Sequence, residues 1–153
     1  MKQKIFLITI LLIFLNQCGY TPIYSNNRTV DFKLEIIDIS GDNEMNNLIS
    51  SKIKKYSNPS AKKTFRLKVK TDYIKDIITK DKTGKATNYL IKKTVEYEIV
   101  NSENNIKYVF DDKINATGMD NQYDFKKYES TIKNNFISSK LDQLILKLSN
   151  IKW

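Results

Sequence analysis

From Phe65 to Tyr73 the chain alternates strictly. Phe65, Leu67, Val69, Thr71 and Tyr73 interleave with Arg66, Lys68, Lys70 and Asp72. Successive side chains of a strand point to opposite faces, so this segment is a strand with one dry face and one wet one. Such a strand needs neighbours in a sheet and a cover over the dry face. The same alternation recurs at Val30, Phe32, Leu34 and Ile36, at Tyr89, Ile91, Val95, Tyr97 and Ile99, and at Ile106, Tyr108 and Phe110. Two segments have helical spacing instead. One carries Met45, Leu48, Ile49, Ile53 and Tyr56, with Lys52 as the polar member of its stripe. Asp42 is placed to cap it and Asn58-Pro59-Ser60 to stop it. The other opens at Asp124 and presents Phe125, Tyr128, Ile132, Phe136, Ile137, Leu141, Leu144, Ile145 and Leu148.

The order is β-α-β-β-β-α. The expected fold is an α+β two-layer sandwich, with both helices packed on one face of a four-stranded sheet. Asp81 to Lys85 reads as the hairpin loop between the second and third strands, with Gly84 supplying a positive φ. Ser102 to Asn105 reads as the next turn, and the fourth strand fades near Thr117-Gly118. The sequence carries no repeat and no second-domain linker, so residues 30–153 are expected to form one domain.

The segment before that domain has a different character. Met1 to Lys4 is basic, and Ile5 to Leu15 is apolar apart from Thr9. Eleven helical residues span about 17 Å, too short for a hydrocarbon core of about 30 Å. A basic start followed by a short apolar core describes a signal peptide over 1–17 rather than a membrane span. Cys18, the only cysteine of the chain, ends that run. Leu15-Asn16-Gln17-Cys18 resembles the lipobox of bacterial lipoproteins, although Gln17 stands where a small residue is usual. On that reading Cys18 is lipidated and becomes the mature N-terminus, with 18–29 as a tether. Several acyl chains anchor stably where one does not. Gly19, in place of the Asp that signals inner-membrane retention, favours the outer membrane. The alternative is a conventional secretion signal followed by an ordinary small thiol.

Composition narrows the function. The chain of 153 residues has no His and one Cys. That excludes an imidazole base, Ser-His or Cys-His nucleophiles, an internal disulfide and a thiolate zinc cage. The acids are scattered and no Gly-rich phosphate loop is present, so neither an enzyme nor a metal or cofactor site is expected. The formal charge of +9 falls to +7 once residues 1–17, with Lys2 and Lys4, are removed. Lys, Ile and Asn number 24, 21 and 16, a set that AT-rich codons encode, and only Arg28 and Arg66 are arginines. Nucleic-acid readers favour Arg for its bidentate fork, so no nucleic-acid partner is expected. Two basic features remain. The outer strand face carries Lys33, Arg66, Lys68, Lys70, Lys92 and Glu96, which reads as a solvated face. The hairpin loop carries Lys82 and Lys85, near Lys92 and Lys93, where ammonium groups can meet phosphate as point charges.

Taken together, these features resemble a family. Cys18-Gly19-Tyr20-Thr21-Pro22-Ile23-Tyr24 is similar to the mature start of LptE-type lipopolysaccharide-assembly lipoproteins, especially alphaproteobacterial ones. Lys82 to Tyr89 resembles the family's basic-x-Gly-x-x-x-x-Tyr loop, and Leu141 to Leu148 its closing helix. The resemblance implies an outer-membrane lipoprotein on the periplasmic side that plugs a large β-barrel partner of the LptD type. Such a plug helps the barrel assemble and contacts lipopolysaccharide. It also implies that Lys82, two residues before the loop Gly, carries part of that contact. The family's second basic position falls at Asn134 with Lys133 adjacent, so the candidates are Lys82, Lys85 and Lys133. The other reading of the residues is a free periplasm-facing lipoprotein that scaffolds or chaperones envelope components without a barrel.

Overall fold

The computed structural model describes residues 30–100 and 105–151. The elements follow in the order β1 (Phe32–Ser40), α1 (Asn43–Tyr56), β2 (Lys63–Lys80), β3 (Ala86–Val100), β4 (Ile106–Thr117) and α2 (Gln122–Ser149). The expected α+β order is thus the observed one. The strands lie in the sheet as β1-β2-β3-β4. β1 and β2 are parallel, joined by α1 as a crossover, and the remaining pairs are antiparallel. Both helices cover the face that carries Phe65, Leu67, Val69, Val95, Tyr97 and Ile99.

Local chemistry sets the boundaries. Asp42 caps α1, its Oδ1 accepting from the Met45 N–H at 2.9 Å. Gly41, between β1 and that cap, has φ +105°, and a Cβ there would lie 1.8 Å from the Thr71 carbonyl oxygen. Only glycine lets the chain leave the sheet so tightly. The start of α2 differs from the expectation. Asn121, not Asp124, is the cap, its Oδ1 accepting from the Tyr123 N–H at 2.9 Å. Asp124 instead lies in the first turn, where a carboxylate favours the helix dipole. β1 also runs further than its first four apolar residues suggest. A register shift between Ile36 and Asp38 re-phases the strand so that Ile39 returns to the core side.

The sheet is long relative to its first strand. β1 pairs with β2 only as far as Ser40 opposite Lys70. From Thr71 to Lys80, β2 pairs with β3 alone among the described strands, and the pair extends as a two-stranded blade. The core divides accordingly. The larger cluster joins Met45, Ile49 and Ile53 of α1, the inner face of β2 and β3, and Phe136 to Leu148 of α2. A smaller one, at the blade, holds Ile91, Ala116 and Phe125, with Tyr89, Ile114, Tyr128 and Ile132 against it.

Candidate functional site: the hairpin tip and the polar row behind it

The blade ends in the loop Asp81 to Lys85, which Asp81 shapes. Its Oδ1 accepts from the Thr83 hydroxyl at 2.6 Å, the Thr83 N–H at 2.8 Å and the Lys85 N–H at 3.0 Å. The Thr83 hydroxyl, then the two backbone N–H groups, hold the Asp81 carboxyl below its usual pKa. Gly84 closes the turn at φ +87°. Lys82 is exposed and makes no ion pair among the described residues. Lys85 reaches Asp120 at 2.8 Å, on the connection between β4 and α2. That hydrogen-bonded contact raises the Lys85 pKa and lowers that of Asp120. Both groups are exposed, so the pair adds little stability and yields easily to a competing anion. Exposed apolar side chains lie on the elements that flank the tip: Ile77 and Ile78 on β2, Met119 beside Asp120, and Tyr123 at the start of α2. Lys80, Lys126 and Lys127 are exposed on the same elements.

Lys133 does not belong to that group. It lies on α2 and is only 7% exposed. Its Nζ donates to Asp42 Oδ2 and Glu44 Oε2, both at 3.0 Å, and sits 4.1 Å from the centre of the Tyr73 ring. Burial works against its charge, but the two carboxylates outweigh it and raise the pKa. Tyr73 precedes Asp81 by eight residues, about 26 Å of strand, so Lys133 and Lys82 are far apart. Lys133 serves to tie α2 to the cap of α1. Cys18, the remaining candidate, lies outside the described residues, as do the proposed signal peptide and tether.

Lys92 and Lys93 do not adjoin the loop either, because β3 begins at Ala86 and they lie in mid-strand. They also face opposite ways. Lys92 is on the outer face, paired with Asp76 at 2.7 Å. Lys93 is on the helix side, 3% exposed, with its Nζ 2.7 Å from Asp112 Oδ2 and 5.3 Å from the Phe136 ring centre. Register places Tyr73, Lys93 and Asp112 side by side across three strands. α2 adds Glu129, which accepts from the Tyr73 hydroxyl at 2.7 Å and pairs with Lys75 at 2.9 Å. Burial first, and then Glu129, push the Tyr73 hydroxyl well above its ordinary pKa. This polar row separates the two apolar clusters. Sequence reasoning overlooked it, although parity held the signal. Lys93 shares its face with Ile91 and Val95, and Asp112 shares its face with Phe110 and Ile114.

The outer sheet face carries both signs of charge. Arg66, Lys68 and Lys70 are exposed along β2, followed by Asp72 and Asp76. Glu96 pairs with Lys107 at 2.6 Å. Among the described residues no helix is long and apolar enough to cross a membrane.

This mixed sheet under two helices has solved counterparts. The crystal structure of rare lipoprotein B from Shewanella oneidensis matches with a TM-score of 0.52 at 8% identity, over 76% of this chain and 97% of that one. A chain described as a lipoprotein from Caulobacter crescentus CB15 gives a TM-score of 0.48 at 10% identity, over 76% of this chain and 87% of that one. No family model matches the sequence, and no curated protein does. The first of these likenesses shows that the chain has the fold of a bacterial lipoprotein.

Proposed function

We propose that this chain is an LptE-type outer-membrane lipoprotein, anchored on the periplasmic side by a lipidated Cys18. It acts without catalysis, as a plug inside an LptD-type β-barrel that helps the barrel assemble and contacts lipopolysaccharide during its insertion into the outer leaflet. One observation carries the reading. The hairpin tip combines the exposed ammonium of Lys82 and the weakly held one of Lys85 with Ile77 and Ile78, which are 52% and 51% exposed. A ligand bearing both phosphates and acyl chains suits such a surface, and an exposed apolar patch rimmed by charge marks an interaction site. The sequence over Cys18 to Tyr24 adds its own support, and so does the lipoprotein fold.

Two experiments test the proposal. The tagged protein, extracted in mild detergent, is expected to co-purify with a large outer-membrane barrel. If it comes out alone, the free scaffold reading takes over. Lys82→Glu is expected to weaken lipopolysaccharide binding about tenfold at low salt, with a smaller effect at high salt, and to leave the melting temperature unchanged. Binding that is unaltered in Lys82→Glu would take the hairpin tip out of the site.

A further inference from the structure

Val30, where the described residues begin, lies at the end of the sheet opposite the hairpin tip. Phe32 pairs with Lys63, and its carbonyl accepts from the Asn58 N–H at 3.0 Å. Ser57 Oγ accepts from the Leu34 N–H at 2.9 Å, and Lys63 Nζ donates to the Ile151 carbonyl at 3.4 Å. These contacts gather the start of β1, the end of α1, the loop 57–62 and the end of α2 into one base. β2 runs 18 residues from that base to the tip, about 55 Å of strand.

The base is strongly basic. Residues 52–63 hold five lysines and no acid. Lys54, Lys55 and Lys62 are exposed, and Lys52 is half-buried. None of these four makes an ion pair among the described residues. Lys54 and Lys55 suit the dipole at the end of α1. Lys62 lies beyond the helix, so the dipole does not explain the cluster. Groups of about four to eight basic residues beside a membrane anchor are drawn to anionic headgroups. Only residues 18–29 separate Val30 from Cys18, a reach of about 40 Å at full extension. The base is thus the end that the tether holds at the bilayer.

We propose that Lys52, Lys54, Lys55 and Lys62 dock the base on the anionic phospholipid headgroups of the bilayer that holds the acyl chains of Cys18. The inference rests on the proposed lipid anchor. Ammonium groups meet headgroup phosphates as point charges, and their pull fades within about 10 Å, so it acts on a domain already tethered. Docking by the base leaves the hairpin tip free to enter the barrel, and it needs one copy of the chain.

The lipidated full chain on vesicles tests this. Lipidation blocks the Cys18 thiol and the chain has no other cysteine, so Ser60→Cys at the base and Lys80→Cys near the tip each offer one site for a fluorophore. Energy transfer to acceptor-labelled headgroups reports how near each site lies to the bilayer. Transfer from position 60 is expected to be about twofold greater on vesicles with about 30% phosphatidylglycerol than on pure phosphatidylcholine, and to fall back in about 0.5 M salt. Transfer from position 80 should stay low on both. The triple change Lys54→Glu, Lys55→Glu and Lys62→Glu should abolish the gain at position 60, and thermal melts check that it folds. A position 60 that ignores lipid charge and salt, or a gain that survives the triple change, would overturn the docking while the anchor stands. A gain that appears only once the barrel is added would assign the base to the barrel instead. Failure to float with phosphatidylcholine vesicles would overturn the anchor, and the docking with it.

Discussion

Tyr97 is fully buried on the inner face of β3, edge-on to Phe110, and its hydroxyl has no hydrogen-bond partner among the described residues. Burial alone pushes that hydroxyl above its ordinary pKa. A buried polar group without a partner costs about 1–3 kcal/mol, and phenylalanine keeps the ring without the hydroxyl. Tyr97→Phe is therefore expected to stabilise the protein by about 1 kcal/mol in urea denaturation. A clear loss of stability would mean that the hydroxyl is hydrogen-bonded in the folded protein. Gly41 is the opposite case, a residue whose missing side chain is the requirement, since any Cβ would enter the Thr71 backbone.

Between elements, the junction of α1 and α2 rests on charge. Asp42 caps α1 with one oxygen and holds Lys133 with the other, and Glu44 shares the same ammonium. The Ser130 hydroxyl leads in lowering the Glu44 pKa below 4.5, with Lys133 adding to it against a burial penalty. A depressed carboxyl contributes stability above its unfolded pKa and loses it as pH falls through the folded value. The Lys133 pKa is raised above 10.5, so its contribution is complete below that value and is lost as pH rises beyond it. Tyr56, pushed up to about 12 by burial and then by Asp142, falls on the same alkaline side, weakening from about pH 10 upward. Glu44→Gln is thus expected to lower the melting temperature more at pH 7 than at pH 3, because the wild-type carboxyl loses its contribution as the pH falls through its folded value. An equal loss at both pH values would remove Glu44 from the titrating groups.

The elements themselves were legible from period alone, because each strand has one dry face and each helix one dry stripe. Asp42 as a cap and Gly84 at the turn were legible from local chemistry. What escaped was the inner polar row. Lys93 sits among apolar residues of its own parity, but its partners, Asp112 and the Phe136 ring, come from β4 and α2. No local pattern states that pairing. Lys133 was singled out for its charge, and only the packing of α2 over the cap of α1 shows where that charge is used. Lys82 and Lys85 sit on the loop where the hairpin signal put them.

At the scale of the molecule, the row Tyr73, Lys93 and Asp112, under Glu129 and Lys133, divides one sheet into two regions of unequal burial. Below it, α1 and α2 both cover the strands. Above it, α1 is absent, β1 has ended, and the blade keeps only the small cluster around Ile91, Ala116 and Phe125. Apolar burial sets most of the cost of opening a region, and regions separated by polar contacts share less of that cost. The blade is therefore expected to open on its own. Native-state hydrogen exchange should give lower opening free energies at Ile74 to Lys80 and Ala86 to Leu90 than at Leu67, Val69, Tyr97 and Ile99. The first group should depend weakly on denaturant, as local openings do, and the second steeply, as global unfolding does. Identical free energies and slopes in both groups would mean that the polar row couples the two clusters as tightly as an apolar seam. Under the proposed function, such opening lets the tip re-fit around a bulky amphiphile while the half covered by both helices, which carries the N-terminal connection at Val30, stays folded.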